Sequence, residues 1–231
     1  MVYSENAGEP ATKKRNLAKL FESHRIVYCE HDLGRQDAQG GGSAAATLVE
    51  LVQKARVGNL GAFQQIYDLY ARKVLNFVYR MVNSVEEAED LTQETFTAVY
   101  QKLESLLDAE RFEPWLFRIA RNFVYQRYRN RPPAMTPVDA LDEDGQPVLQ
   151  VEDARKTPDA AFQARELERV VKEAIASLPP KYREVFILSA IRHLSYQEIA
   201  EIVGRSLPSV KTDIHRARLE VRDRVKDYLR V

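Results

Sequence analysis

The chain has 231 residues, 45% of them hydrophobic, and its 34 basic and 34 acidic residues give a formal net charge of zero. This is enough for one large domain or two small ones with real cores. The single cysteine, Cys29, excludes an intramolecular disulfide and fits a reducing compartment. No apolar run approaches the roughly 20 residues of a membrane span, and the N-terminus lacks the apolar core of a signal peptide. We therefore expect a soluble cytoplasmic protein with no membrane insertion.

Composition divides the chain into four parts. Residues 1–46 form an extension that ends in the run GRQDAQGGGSAAA and is expected to be disordered or partly helical. Residues 132–163 are acidic and rich in proline, which predicts a flexible linker. Residues 47–131 and 164–231 show helical periodicity, and no strand pattern of useful length occurs. The predicted fold is all-α, with two small helical domains joined by the linker.

The stretch SVEEAEDLTQETFTAVYQK begins at Ser84 and predicts an amphipathic helix. Its apolar stripe consists of Ala88, Leu91, Phe96, Val99 and Leu103. The opposite face is acidic and hydrogen-bonding, and its candidate docking residues are Glu87, Asp90, Gln93 and Glu94. Such a face is either simply solvated or a docking surface for a basic partner.

The next stretch, PWLFRIARNFVYQRYRNR, contains five arginines and no acid. Aromatic and arginine side chains together can bind single-stranded nucleic acid by stacking and phosphate contact. Trp115 and Ile119 can instead belong to the core, but that does not explain the uncompensated arginines. The candidate residues for strand binding are Arg118, Arg121, Asn122, Arg127 and Arg129.

The stretch LSYQEIAEIVGRSLPSVKTDIHRAR predicts a helix-turn-helix. Ser195 and Glu198 can form a capping box, Gly204 permits the left-handed turn, and Val210 can lock the second helix on the first. The second helix then presents a basic, hydrogen-bonding face suited to a major groove. Its candidate DNA-binding residues are Arg205, Ser209, Lys211, Thr212, His215, Arg216 and Arg218, with Asp213 as the one acid among them.

These three stretches together resemble the extracytoplasmic-function (ECF) group of bacterial RNA polymerase sigma factors. AEDLTQETF resembles the family's segment that docks on the clamp coiled coil of the polymerase β′ subunit. WLFRIARN and the following arginines resemble its region for melting and reading the minus-ten element. The helix-turn-helix resembles its reader of the minus-thirty-five element. The chain departs from the family pattern at Gln126, Arg192, His193 and Asp213.

The resemblance implies a factor that binds core RNA polymerase through β′ and β, recognises promoter DNA and is held by an anti-sigma factor. It implies a non-enzymatic protein without cofactor or metal. Cys29 and His31 alone are too few ligands for a metal site. Two alternatives remain from the residues: a helix-turn-helix regulator with a dimerising or ligand-sensing domain, and a helical adaptor without a nucleic-acid role. The regulator has no need of an acidic helix followed by an arginine-rich one.

Overall fold

The computed structural model describes residues 43–130 and 158–229, and residues 1–42 of the N-terminal extension, with Cys29 and His31, lie outside these ranges. The described ranges are helical and contain no strand, as predicted. The helices of the N-terminal domain are α1 (Ser43–Arg56), α2 (Leu60–Val82), α3 (Val85–Lys102) and α4 (Phe112–Asn130). Those of the C-terminal domain are α5 (Pro158–Ala176), α6 (Pro180–Phe186), α7 (Tyr196–Val203) and α8 (Leu207–Leu229).

In the N-terminal domain, polar caps separate consecutive helices. The Asn59 side chain accepts a hydrogen bond from the Ala62 amide and starts α2. Asn83 ends it in the left-handed conformation, and Ser84 then caps α3. The α3 stripe predicted from the sequence is buried throughout. Edge-to-face pairs of aromatic rings join the helices, including Tyr67 with Phe96 and Phe77 with Phe117.

In the C-terminal domain, Pro179 and Pro180 separate α5 from α6. Helix α6 continues into a π-helical turn at Ile187–Ile191, and His193 then takes a left-handed conformation with φ of 55°. Helix α5 begins at Pro158, inside the expected linker 132–163, and proline is favourable in the first turn of a helix. Helix α1 likewise begins at Ser43, a few residues before the expected boundary.

The two domains pack against each other. Helix α4 lies against α7, and α2 contacts α5 and α6. The buried apolar residues of both domains belong to one continuous cluster. The arginine-rich helix of the N-terminal domain therefore lies directly beside the helix-turn-helix domain.

Candidate nucleic-acid interface

The helix-turn-helix has the local geometry that its sequence predicts. The Ser195 hydroxyl accepts from the Glu198 amide, and the Glu198 carboxylate accepts from the Ser195 amide at 2.8 Å. Gly204 ends α7 with φ of 65°, where a side chain would be strained. In α8, Val210, Ile214 and Ala217 are buried. These contacts fix α8 at the surface of its domain.

The exposed side of α8 carries most of the predicted minus-thirty-five residues. Ser209 is half-buried at its edge. Arg216 donates a hydrogen bond from Nη1 to the Tyr182 hydroxyl at 3.2 Å, which holds its guanidinium near the N-terminal part of α6. The exposed members of the set are Lys211, Thr212, His215, Arg216 and Arg218. This face has the size and charge that a major groove accepts.

Arg205 is the member of the predicted set that lies away from this face. It donates to Glu184 at 2.6 Å and forms an ion pair with Asp213. Asp213 is 2% exposed and also lies 3.1 Å from Lys181. The acid that the sequence places among basic residues therefore points into the protein. Its charge is compensated by Arg205 and Lys181, so it does not oppose DNA on the exposed face.

The arginine-rich helix α4 divides its predicted residues between two environments. Arg118, Asn122 and Arg129 are exposed and lie along one side of the helix. Arg127 is half-buried, and its guanidinium lies 4.0 Å from the Glu94 carboxylate of α3. Trp115 is half-buried and packs against the core, as the sequence suggested.

Arg121 contacts the other domain. Its Nε donates to Glu184 at 2.8 Å, and Glu184 is only 1% exposed. The same guanidinium lies over the Tyr125 ring, 4.3 Å from its centre. Burial, followed by the hydrogen-bonded Glu184 carboxylate, raises the pKa of Tyr125 above its ordinary value. One buried carboxylate of the C-terminal domain therefore engages two side chains of the predicted strand-reading helix.

Two further ion pairs cross between the domains, and the sequence did not predict them. Glu113, at the start of α4, lies 3.4 Å from Arg192 and accepts a hydrogen bond from Tyr70 at 3.2 Å. The Arg192 side chain is 8% exposed. Arg111, just before α4, pairs with Glu201 of α7. A signal existed in the sequence, because Arg192 is one of the positions at which the chain departs from the family pattern, but its partner lies 79 residues away.

Arg183 is a buried cation at the same junction. Its Nη1 donates to the Met81 carbonyl of α2 at 2.8 Å, and its Nη2 donates to the Ala176 carbonyl at the end of α5 and to the Leu178 carbonyl just after it. Carbonyls at helix C-termini carry partial negative charge and suit a cation. Burial lowers the pKa of Arg183. A charged residue inside the apolar run YREVFILSAI is the sequence signal for this contact.

The predicted docking face of α3 is open. Asp90, Gln93 and Glu94 are exposed, and Glu87 is half-buried next to the Ser84 cap. The exposed Glu86 and Glu89 extend the same acidic surface. Acidic residues in the first turn also interact favourably with the positive end of the helix dipole. Part of this negative charge therefore stabilises α3 itself.

A cavity of about 370 Å³ lies where the two domains meet, lined by Leu107, Trp115, Arg118 and Glu201 among others. Over residues 43–130 and 158–229, no group of side chains has the arrangement of a metal site. In the same part of the chain, no helix is long and apolar enough to cross a membrane.

The fold and these surfaces define a class: a helical DNA-binding transcription protein with a C-terminal helix-turn-helix. The chain matches the family model for Sigma-70 region 2 over residues 66–132 and that for Sigma-70, region 4 over residues 168–221. It is 34% identical over 178 residues to the ECF RNA polymerase sigma factor SigW of Bacillus subtilis, covering 76% of this chain and 95% of that protein. The chain belongs to the ECF sigma factors.

Other relatives agree with this assignment. The chain is 33% identical over 189 residues to the ECF RNA polymerase sigma-E factor of Escherichia coli K12, covering 79% of this chain and 95% of that one. Among solved structures, CnrH in complex with the cytosolic domain of CnrY has a TM-score of 0.58 and 25% identity, over 78% of this chain and 98% of CnrH. The sigma factor RpoE of Bartonella quintana, in complex with the anti-sigma factor NepR, has a TM-score of 0.53 and 26% identity, over 71% and 96%.

The sequence-based expectation of a sigma factor is therefore confirmed. The protein binds core RNA polymerase and directs initiation at promoters, with its N-terminal domain corresponding to region 2 and its C-terminal domain to region 4. The alternative of a regulator with a dimerising or ligand-sensing domain is not favoured, because region 2 occupies the place of that domain.

Proposed function

We propose that three surfaces of the described helices divide the work of this sigma factor. The acidic face of α3, with Glu87, Asp90, Gln93 and Glu94, docks on core polymerase. The arginine-bearing side of α4 reads and stabilises the melted minus-ten strand. The exposed side of α8 reads the minus-thirty-five element in the major groove. The observation that carries the proposal is that each of the three helices presents members of its predicted set together on an exposed side: Asp90, Gln93 and Glu94 on α3; Arg118, Asn122 and Arg129 on α4; and Lys211, Thr212, His215, Arg216 and Arg218 on α8.

The residue roles within α4 differ. Arg118 and Asn122 are adjacent on the exposed side, where a guanidinium can contact a phosphate and an amide can hydrogen-bond a base edge. An extruded base costs a few kcal/mol of stacking energy, which such contacts must offset. Trp115 stabilises the position of the helix through its packing and is not assigned to the base contact.

Within α8, the proposed contacts also differ in kind. Arg216 has the geometry for two hydrogen bonds to guanine, and Lys211 for a phosphate contact. Thr212 bonds back to the Pro208 carbonyl at 3.0 Å, which leaves its methyl group for the groove. Arg205 positions α8 through Glu184 and Asp213, so its effect on DNA binding is indirect.

The same proposal includes three general properties of the protein. The protein acts without a catalytic centre, and it works in the cytoplasm, where the polymerase and promoter DNA are found. A protein inhibitor of the anti-sigma kind holds it, which is supported by the likeness to RpoE solved with the anti-sigma factor NepR. The proposed units are a region 2 domain over 47–131 and a region 4 domain over 164–231, separated by the segment 132–163.

The experiment that tests the whole assignment is reconstitution. The purified chain is mixed with core polymerase, and the complex is isolated by size exclusion and used for run-off transcription on a genomic fragment library. We expect one-to-one binding and transcripts that start from a common pair of sequence elements. Association without start-site selection would contradict the proposed reading surfaces, and absence of association would contradict the docking face.

A further inference from the structure

The exposed surface of α8 carries a row of basic side chains that continues past the residues assigned to the minus-thirty-five element. Its members follow one another at intervals of four, three, four and four residues. At roughly 100° per residue, this spacing keeps them within an arc of about 80° on one side of the helix. We name this row the basic stripe, and its exposed members are Lys211, His215, Arg218, Arg222 and Lys226.

The far end of the basic stripe is attached to the core of the domain. Val221 is buried and Val225 packs against the apolar cluster, so α8 remains fixed to its domain for a full turn beyond the proposed groove contacts. Arg222 and Lys226 each follow one of these valines and are exposed. They also lie beyond residue 221, where the match to region 4 ends. The last two cations of the stripe therefore have a fixed place on a surface outside the matched region.

The two exposed sides of α8 differ in charge beyond the middle of the helix. The side that carries Thr212 and Arg216 continues with Glu220 and Asp223, and their carboxylates would repel phosphates. The basic stripe continues with two cations instead. Among the α8 side chains that the structure describes, no acid lies within the arc of the stripe. Contact between DNA and the second half of α8 is therefore favourable only along the stripe.

The basic stripe is also longer than the major groove is wide. At 1.5 Å per residue, Lys211 and Lys226 are separated by about 22 Å along α8, whereas the groove is about 12 Å wide. A straight helix whose N-terminal residues contact base edges therefore leaves the groove across one of its walls. Each wall is a row of phosphates, and guanidinium and ammonium groups are strong donors to phosphate oxygens.

We propose that Arg222 and Lys226 bind phosphates of the duplex that flanks the minus-thirty-five element. The inference rests on the proposed role of α8 in reading that element. It extends the contact beyond the bases that are read, and it adds affinity whatever the flanking sequence, because phosphates carry no base identity. The stripe is continuous with the groove-facing residues, which favours DNA over an acidic protein surface as its occupant.

Arg222 has a partner within α8 in the absence of DNA. Its Nε and Nη2 donate to the Asp223 carboxylate at 3.2 and 3.0 Å. Both side chains of this pair are 64% exposed, so water already competes for the pair. A phosphate can therefore replace Asp223 as the acceptor without any change in the fold.

The test uses holoenzyme and fluorescein-labelled duplexes that contain the minus-thirty-five element alone, with binding followed by anisotropy. The long duplex carries about one helical turn of extra sequence, roughly 10 base pairs, at each end of the element, and the short duplex ends at the element. The stripe variant combines Arg222→Gln with Lys226→Gln. The control variant combines Arg169→Gln with Arg224→Gln, which removes the same charge from exposed positions of the same domain outside the stripe.

The wild type should bind the long duplex more tightly than the short one, whereas the stripe variant should bind both with the affinity of the wild type for the short duplex. Two phosphate contacts contribute about 1.8 to the slope of log affinity against log salt concentration. Between about 50 and 200 mM salt, the wild type should therefore lose roughly tenfold more affinity for the long duplex than the stripe variant loses. The control variant should behave as the wild type does.

Several results would overturn the flanking contact. One is a wild type that does not distinguish the two duplexes, and another is an equal loss of affinity in the stripe and control variants, which would show a general charge effect. A stripe variant with normal DNA binding but weaker binding to core polymerase would assign the stripe to an acidic surface of the polymerase instead.

The reading role of α8 is tested separately on the short duplex with Thr212→Ala combined with Arg216→Ala. Weaker binding by this variant, together with a stripe variant that matches the wild type on both duplexes, would remove only the flanking contact. Unchanged affinity in the Thr212 and Arg216 variant would contradict the reading role on which the inference rests.

Discussion

Lys181 and Asp213 lie 3.1 Å apart and join the start of α6 to the middle of the recognition helix. Asp213 is 2% exposed and is also paired with Arg205. An acid on a DNA-reading helix is therefore part of the attachment of that helix to its domain. The same residue would be read from the sequence as a repulsive charge near phosphates.

Replacing Asp213 by asparagine should destabilise the protein, because it removes the charge that Arg205 and Lys181 neutralise. Hydrogen bonds to charged groups contribute about 1.5–3 kcal/mol, and we expect a loss of about 2–3 kcal/mol in the free energy of unfolding. Urea denaturation followed by circular dichroism measures it. The control is Asp223→Asn, at an exposed pair with Arg222. Equal losses in the two variants would contradict a structural role for Asp213.

Reversing the charge of Asp90 and Glu94 together should weaken binding to core polymerase. Both side chains are exposed, so the fold should tolerate lysine at either position. Single exposed pairs contribute only about 0.2–1 kcal/mol, which makes the double change the fair test. Affinity is measured by fluorescence titration of core enzyme, with Glu50→Lys and Glu110→Lys as the control of equal charge change. A control that loses as much affinity as the test variant would argue for a general charge effect.

Arg216→Ala should reduce binding of the holoenzyme to its minus-thirty-five element by about tenfold or more if Arg216 reads a guanine. The element is first obtained by selection from random duplex sequence. Tyr182→Phe is the matched control, since it removes only the hydroxyl to which Arg216 donates in the absence of DNA. We expect near-normal affinity for it. A loss that is uniform over all duplex sequences would assign Arg216 to phosphate contact instead.

Arg118→Ala combined with Asn122→Ala should spare polymerase binding and duplex recruitment but reduce promoter melting. Both residues lie on the exposed side of α4 and contribute little to its packing. Permanganate reactivity of unpaired thymines measures melting on a closed template and on one already unpaired at the minus-ten element. The unpaired template should rescue part of the loss. Normal reactivity on the closed template would leave this side of α4 as a solvated surface.

Because of Tyr125, the stability of the folded protein should depend on pH in the alkaline range. Burial and the neighbouring Glu184 raise its pKa above the ordinary value of 10.0. The folded protein holds this proton more tightly than the unfolded chain, so the stabilisation is complete below about pH 10 and is lost as pH rises through the folded pKa. The free energy of unfolding should therefore fall less steeply above pH 10 in Tyr125→Phe than in the wild type. Tyr70, whose pKa is also raised by burial and then by Glu113, should still titrate late in absorbance at 295 nm. Identical alkaline slopes would contradict the assignment to Tyr125.

Local features were predictable because they depend on neighbours in sequence. The Ser195 capping box, the Gly204 turn and the buried stripe of α3 follow from spacing alone. The candidate surfaces on α3 and α8 likewise follow from helical periodicity. The sequence could not predict the junction between the domains. Helical periodicity shows which residues share one face of a helix, but it does not show which helix from a distant part of the chain packs against that face.

Arg121 and Arg205 illustrate this limit. The sequence groups each of them with exposed basic neighbours, and the structure places each within hydrogen-bonding distance of the buried Glu184. The start of α5 also differs from the expectation, because the acidic, proline-containing composition predicts a linker up to residue 163. Pro158 begins the helix, where its missing amide proton has no cost.

The Met81 carbonyl accepts hydrogen bonds from both Arg183 and the Tyr128 hydroxyl. Tyr128 belongs to the same domain as Met81, and Arg183 also donates to two carbonyls of its own domain. Pulling the domains apart thus removes one donor from Met81 and one acceptor from Arg183, while each keeps a native partner. These two groups therefore do not lose all their partners when the domains are apart, so amide hydrogen exchange at the ends of α2 and α5 should remain as slow in a separated protein as in the packed one.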